Sequence, residues 1–163
     1  TMQDTNKLYV TDTMFKHYLS EITRQIALDK WAPSVIIGPS RGGLQMGVML
    51  SHYFEVPFVP LQWQTYTVDP AGSGGKDLEA IEKITQKYVH ENILLVDDIN
   101  DTGNTLLGIT SAMDKQDYFA DVKVATLFNK TTSAYEDVNY YAHELTPDYD
   151  PWVVFPFEEW WKM

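Results

Sequence analysis

The segment from Ile93 to Leu106 constrains the fold of this chain more than any other feature. It opens with Ile93-Leu94-Leu95-Val96, an apolar run of the kind found in strands that are buried on both faces. Residues 97–105 are polar, and apolar residues then recur at helical spacing from Leu106. A buried strand followed by a short turn and a helix is one unit of a parallel α/β sheet. We therefore expect residues 97–105 to lie at the carboxyl edge of that sheet, where open α/β folds bind their ligands.

The same alternation of strand and helix recurs along most of the chain. Apolar spacing predicts helices near residues 15–26, 44–54, 78–88 and 106–113, and β-branched runs predict strands near 34–38, 56–61, 93–96 and 122–128. This order favours an α/β fold with a mostly parallel central sheet of the doubly wound kind. The pattern breaks after Asn129. We expect residues 1–163 to form one domain, with a core of about residues 11–129 and a small irregular hood from residues 1–10 and 130–163.

The composition excludes several partners and sites. Twelve basic against 23 acidic residues give a formal charge of −11, which argues against nucleic-acid polymers and anionic membranes. The absence of cysteine excludes disulfides, thiolate catalysis and cysteine–zinc sites. The sequence shows neither an apolar run of membrane-spanning length nor a signal peptide. These features together predict a cytoplasmic protein.

Residues 97–105 combine groups that suit a phosphorylated sugar. Asp97 and Asp98 are adjacent on a strand, so their carboxylates point to opposite faces and should have different tasks. The turn that follows offers backbone N–H groups, two threonine hydroxyls and a helix N-terminus, which together can cradle a phosphate. Carboxylates beside such a cradle suggest a ligand with a diol, a phosphate and bound Mg²⁺. The alternative is a solvated strand end with an ordinary helix cap, and that alternative is the better choice for any one of these residues taken alone.

Taken whole, Val96–Thr105 resembles the phosphoribosyl pyrophosphate (PRPP) binding motif of type I phosphoribosyltransferases. Other stretches, in the same order along the chain, resemble the bacterial xanthine-guanine (6-oxopurine) branch of that family. They are Leu8–Thr11 at the start, Ser40–Leu44 at the pyrophosphate loop, Thr65 and Tyr66 in the flexible catalytic loop, Phe128–Lys130, and Trp152–Glu158 in the base-binding segment. Asn104 replaces the second glycine of the family's Asp-Thr-Gly-Gly-Thr pattern.

The resemblance implies a fold, a reaction and partners. The fold would be the type I phosphoribosyltransferase fold, with helices on both faces of the sheet and a hood. The reaction would convert PRPP and a 6-oxopurine (guanine, xanthine or hypoxanthine) into a nucleoside 5′-monophosphate and pyrophosphate, in purine salvage. Mg²⁺ would be the cofactor, and the chain would assemble as a homodimer or homotetramer.

The resemblance also implies a role for each site residue. Asp101 would be the general base, and Arg41 would stabilise the leaving pyrophosphate. Lys130 would contact the purine 6-oxo group, Trp152 would stack on the base, and Val153 would read the 2-position edge through its backbone. Asp97, Asp98 and Glu158 would hold the metal, partly through substrate or water. The complete PRPP-binding set would be Ser40, Arg41, Gly42, Asp97, Asp98, Asp101, Thr102, Gly103, Asn104 and Thr105. A non-proline cis peptide is expected between Ser40 and Arg41.

Two other functions stay open at the sequence level. The PRPP motif does not identify the acceptor, so a phosphoribosyltransferase for a pyrimidine is an alternative. The second is a PRPP-sensing regulatory protein that lacks turnover. Only Lys130 and Trp152 favour a purine, whereas the acid excess and the intact set of catalytic positions argue against a regulatory protein that binds nucleic acid.

Overall fold

The computed structural model describes residues 6–64, 76–116 and 120–162. The strands are β1 (Lys7–Tyr9), β2 (Val35–Pro39), β3 (Phe58–Leu61), β4 (Asn92–Asn100), β5 (Asp121–Lys130), β6 (Tyr140–Leu145) and β7 (Trp152–Val154). The helices are α1 (Asp12–Leu28), α2 (Leu44–Phe54), α3 (Leu78–Lys87) and α4 (Asn104–Asp114), and a short 3-10 helix covers Trp160–Lys162. None of the described helices is long and apolar enough to cross a membrane.

A five-stranded sheet in the order β3-β2-β4-β5-β6 forms the centre, and every pair of neighbours in it is parallel. Its strands are buried on both faces because alternate residues enter two separate apolar clusters. Ile36 and Leu94 belong to the cluster with α1 and α2, whereas Ile37 and Leu95 belong to the cluster with α3 and α4. Helices therefore cover both faces, which confirms the predicted α/β fold with a mostly parallel sheet.

Two strands differ from the sequence-based expectation. β4 continues through Asp97 and Asp98 to Asn100, because its polar end still pairs with β5 up to the Asn100–Asn129 rung. β6, expected in the hood, is the fifth strand of the central sheet. The central sheet therefore extends beyond residue 129, where the sequence pattern placed the end of the core. The side-chain amide of Gln25 on α1 fixes β6 by donating to the carbonyl of Tyr141 at 2.8 Å and accepting from its N–H at 3.2 Å.

The hood is built from both ends of the described chain. β1 and β7 form a separate two-stranded parallel sheet, with Leu8 opposite Val153, and the N–H of Val10 donates to the carbonyl of Val154 at 2.8 Å. Because α1 begins directly after β1, with Thr11 as its N-cap, the hood is tied to the helix that covers the sheet. This connection places Trp152 above the carboxyl edge of the central strands.

Candidate functional site

A cavity of about 830 Å³ opens at the carboxyl edge of the central sheet. The loop after β2, the end of β4, the end of β5 and the hood all contribute to its walls. Most of the site residues predicted from sequence line this one cavity, although they come from four separate stretches of chain. They are Ser40, Arg41, Gly42, Asp97, Asp98, Asp101, Thr105, Lys130, Trp152, Val153 and Glu158.

A smaller cavity of about 220 Å³ lies at the turn between β4 and α4. Thr102, Gly103 and Thr105 line it together with the three aspartates of the turn region. Gly103 is the N-cap of α4 with φ of 90°, a backbone conformation that side chains strain to adopt. A Cβ there would also lie 2.5 Å from the N–H nitrogen of Tyr135. The turn has the shape of an anion cradle. Asn104, predicted as part of it, lines neither cavity.

Asp97 and Asp98 carry their carboxylates into the site without a basic partner among the described residues. Asp97 is 8% exposed and accepts a hydrogen bond from the Asp98 N–H at 2.9 Å. Asp98 accepts from the Ile99 N–H at 2.7 Å. Burial, together with the charge of Asp98, raises the pKa of Asp97 well above its usual value. Burial raises the pKa of Asp98 to about 6, and the nearby charge of Glu158 adds to this increase.

A buried carboxylate beside a half-buried one, both with raised pKa values, fits a site that receives a cation, because a cation would compensate their charge. No three acidic or histidine side chains come together closely enough to hold a metal ion by themselves, counting residues 6–64, 76–116 and 120–162. Glu158 lines the cavity, but its Oε1 accepts from the Phe155 N–H at 3.0 Å. The donor set therefore suits Mg²⁺, which is usually bound through one or two carboxylates and completes its shell with substrate oxygens and water.

The loop after β2 lies directly against these carboxylates. The peptide bond between Ser40 and Arg41 is cis, which confirms the sequence-based expectation. A Cβ on Gly42 would come within 2.6 Å of the Asp98 carboxyl group, so only glycine allows the backbone this close to the acidic pair. The exposed guanidinium of Arg41 lines the cavity and forms no ion pair with any residue in the described ranges. Arg41 is thus available to an anion that enters the site.

Lys130, at the end of β5, is held by two carboxylates. Its Nζ lies 2.9 Å from Oδ1 of Asp101 and 3.0 Å from Oδ1 of Asp150, and 18% of its side chain is exposed. Burial alone would lower the pKa of Lys130, but the hydrogen bonds that it donates to the two carboxylates outweigh this effect and raise the pKa above its usual value. The lysine is therefore a permanently charged donor beside Asp101, inside the cavity.

Trp152 forms a flat wall on the hood side of the cavity. It is 67% exposed, whereas its neighbour Val153 is buried and pairs with β1. A tryptophan that stays exposed while its strand is fixed leaves a ring face available for stacking. Trp161, also exposed, lines the same cavity. Thr65 and Tyr66 lie outside the described residues.

Sequence reasoning missed two residues that organise the site. Asp150 is one, because nothing in its local sequence links it to Lys130, 20 positions earlier. Asn100 is the other. It is 1% exposed and donates to Asn129 Oδ1 and to the Tyr135 carbonyl, both at 2.9 Å, while it accepts from the Ser133 hydroxyl at 2.7 Å. Its amide joins the end of β4 to the segment after β5. The available sequence signal for Asn100 was a polar side chain at this position of the Val96–Thr105 motif.

Comparison with known proteins gives the same family as the motifs. The family model described as the phosphoribosyl transferase domain matches residues 13–162. An adenine phosphoribosyltransferase from Methanococcus maripaludis (strain C5) is 30% identical over 122 residues, which span 71% of this chain and 69% of the relative.

Two solved structures share the fold. A purine phosphoribosyltransferase from Pyrococcus horikoshii has a TM-score of 0.69 at 23% identity, covering 94% of this chain and 95% of its own. The xanthine-guanine-hypoxanthine phosphoribosyltransferase of Helicobacter pylori has a TM-score of 0.70 at 18% identity, covering 96% and 95%. Because the family model matches residues 13–162, this chain belongs to the phosphoribosyltransferase family, and it has the type I fold.

Proposed function

We propose that this protein transfers the 5-phosphoribosyl group from PRPP to a 6-oxopurine, giving the nucleoside 5′-monophosphate and pyrophosphate. The observation that carries the choice of base is the pair formed by Lys130 and Asp101, whose Nζ and Oδ1 atoms are 2.9 Å apart in the cavity. A charged donor and a carboxylate acceptor thus lie side by side near an exposed tryptophan ring.

This pair matches the edge of a 6-oxopurine. Such a base presents the O6 acceptor beside N7, whereas adenine presents an amino donor at position 6. The ammonium of Lys130 can donate to O6 but would meet the N–H groups of adenine unfavourably. The neighbouring carboxylate of Asp101 can accept the proton of a base protonated on N7. Trp152 supplies a stacking surface within the same cavity.

Adenine is the second candidate base. It is favoured by the 30% identity to an archaeal protein that carries the name adenine phosphoribosyltransferase. The carboxylate of Asp101 in the cavity, and that of Asp150 beyond Lys130, could accept from a 6-amino group. We rank adenine second because both carboxylates already share the charge of Lys130, so a 6-amino group would have to compete with an ammonium ion.

The PRPP half of the mechanism rests on positioning and electrostatics. The cradle of residues 101–105 would bind the 5′-phosphate through backbone N–H groups and hydroxyls. Asp97 and Asp98 would bind the ribose diol and Mg²⁺, which when bound would offset charge on the pyrophosphate. Arg41 would bind the departing pyrophosphate from the opposite wall. The two carboxylates would also stabilise positive charge that develops on the ribose as the bond to pyrophosphate breaks.

The proton in this reaction goes to Asp101. N9 of the purine forms the new bond to C1′ of the ribose, the bond from C1′ to the pyrophosphate oxygen breaks, and the base loses the proton on N7. The Asp101 carboxylate would accept that proton as general base. Lys130 would stabilise the electron density that the ring gains at O6. No nucleophilic side chain is needed, which agrees with the absence of cysteine.

Lys130→Met should separate the two candidate bases. The substitution keeps an unbranched side chain of similar length but removes the donor, so we expect kcat/KM for hypoxanthine to fall about 100-fold, since a lost charge-assisted hydrogen bond contributes about 1.5–3 kcal/mol. The KM for PRPP should stay within about twofold. Steady-state assays with hypoxanthine and adenine measure this, with Lys115→Met, exposed beyond α4, as the matched control. An equal loss for adenine would contradict the assignment of Lys130 to O6.

Gly42→Ala should weaken PRPP binding. The new Cβ would lie 2.6 Å from the Asp98 carboxyl group, so the loop or the carboxylate must move, at a cost of about 1–3 kcal/mol. We expect the KM for PRPP to rise about tenfold or more. Gly47→Ala is the control, because its Cβ would press on Phe58 outside the cavity and should lower thermal stability without changing this KM. An unchanged KM for PRPP in Gly42→Ala would show that the loop does not contact the substrate.

A further inference from the structure

We infer that Asp150 is the positioning residue for Lys130, and that it holds the ammonium toward O6 of the base while Asp101 is engaged with N7. This inference rests on the proposed function and adds a specificity-determining residue to it.

The contact geometry singles out Asp150. Lys130 Nζ lies almost equally far from two carboxylates, 2.9 Å from Asp101 and 3.0 Å from Asp150. The two acids reach it from different parts of the fold. Asp101 follows β4 at the phosphate cradle, whereas Asp150 belongs to the hood, two residues before Trp152. The ammonium is therefore held between the turn that follows β4 and the part of the hood that carries Trp152.

The backbone around Asp150 is itself well fixed. Thr146 and Tyr149 exchange N–H to carbonyl hydrogen bonds of 3.2 and 3.0 Å, which closes a tight turn immediately before Asp150. Pro151 after it is buried and lines the cavity. The side chain of Asp150 is 47% exposed, so it can hold Lys130 from a fixed backbone without being locked inside the core.

The two carboxylates cannot have the same task during turnover. If Asp101 accepts the proton of N7, its lone pairs turn toward the base and its hold on Lys130 weakens. Asp150 then keeps a counter-charge on the ammonium and limits the directions in which it can donate. Without Asp150, the Asp101 carboxylate would be the remaining ion-pair partner in the described part of the chain, and a base would have to break that pair before it could use either group.

Asp150→Asn tests this inference because it removes the charge and keeps the shape. We expect the KM for hypoxanthine to rise about fivefold to tenfold, while the KM for PRPP stays within about twofold. In a Lys130→Met background, Asp150→Asn should not raise the KM for hypoxanthine any further, because the ammonium that Asp150 positions is gone. Asp150→Glu should recover part of the lost affinity.

Asp148→Asn is the matched control. Asp148 is an exposed carboxylate in the same turn, so its loss changes the net charge equally, and both KM values should remain those of the wild type. A purely structural role for Asp150 would lower thermal stability and raise both KM values together, without coupling to Lys130.

The possible failures can be told apart. If the wild type converts hypoxanthine and Asp150→Asn keeps the wild-type KM for it, the inference about Asp150 is overturned and the proposed function stands. Additive effects of Asp150→Asn and Lys130→Met would also overturn it. If the wild type makes no nucleotide from hypoxanthine, the proposed function fails, and this inference fails with it.

Discussion

Replacing Asp101 with asparagine should lower kcat with a 6-oxopurine by about 10² to 10⁴, the range that a positioned general base typically contributes. Asparagine retains the shape of the side chain and one oxygen that can accept from Lys130, which now lies 2.9 Å from Asp101 Oδ1. It cannot take the proton from N7. We therefore expect the loss to appear in kcat, with the KM for PRPP changed by no more than about threefold.

The control for this experiment is Asp114→Asn. Asp114 is exposed at the far end of α4, so this variant removes the same charge from the same helix region without touching the cavity, and its kcat should equal that of the wild type. Turnover by Asp101→Asn at the wild-type rate would exclude Asp101 as the proton acceptor. Asp101 would then contribute only to the shape of the turn between β4 and α4.

Asp98→Asn should have opposite effects on activity and stability. The substitution should abolish most turnover, because one of the two carboxylates proposed to bind the diol and Mg²⁺ is lost. It should also stabilise the ligand-free protein at neutral pH by about 2 kcal/mol. The reason is that burial raises the pKa of Asp98 to about 6, so holding this carboxylate ionised disfavours the folded state.

The pH dependence of this effect has a definite sign. The folded protein binds the Asp98 proton more tightly than the unfolded chain, so ionising this group lowers the free energy of unfolding as the pH rises from about 4 through 6. Asp98→Asn removes this decrease in the free energy of unfolding. The variant should therefore be more stable than the wild type above about pH 6 and equal to it below about pH 4.

Urea unfolding of both proteins at pH 4 and pH 8 measures this prediction. The charge of Asp98 helps to raise the pKa of Asp97, so Asp98→Asn also brings that pKa down. The difference between the two proteins therefore reports on both carboxylates, and both effects stabilise the variant at pH 8. A variant that is less stable than the wild type at pH 8 would contradict the conclusion that ionised Asp98 destabilises the folded protein.

Local sequence patterns predicted most of the elements of the fold, because their signals lie within a few residues. α2 begins and ends at Leu44 and Phe54 as its apolar spacing indicates. The sequence places β6 in the hood because the alternation of strand and helix breaks after Asn129, and only the ends of β6, Tyr140 and Leu145, are fully buried. Its partner is β5, and pairing of that kind is a tertiary interaction that local pattern does not reveal.

The site residues divide in the same way, into those with a local sequence signal and those that depend on tertiary contacts. The phosphate turn was predictable because one continuous motif encodes it, and Lys130 and Trp152 followed from short matches to a known family. Asp150 and the Asn100 amide network were not predictable. Asn100 reaches Tyr135 and Ser133 across more than 30 positions, and a contact of that kind arises only when β4 and β5 have paired.

The most direct test of the account is a panel of bases given to the purified protein with PRPP and Mg²⁺. The panel contains guanine, xanthine, hypoxanthine, adenine, uracil and orotate, and the nucleoside 5′-monophosphate and pyrophosphate are quantified for each. We predict rapid nucleotide formation with at least one 6-oxopurine, far slower formation with adenine, and none with the two pyrimidines. Preferred use of adenine, or no nucleotide from any base, would contradict it.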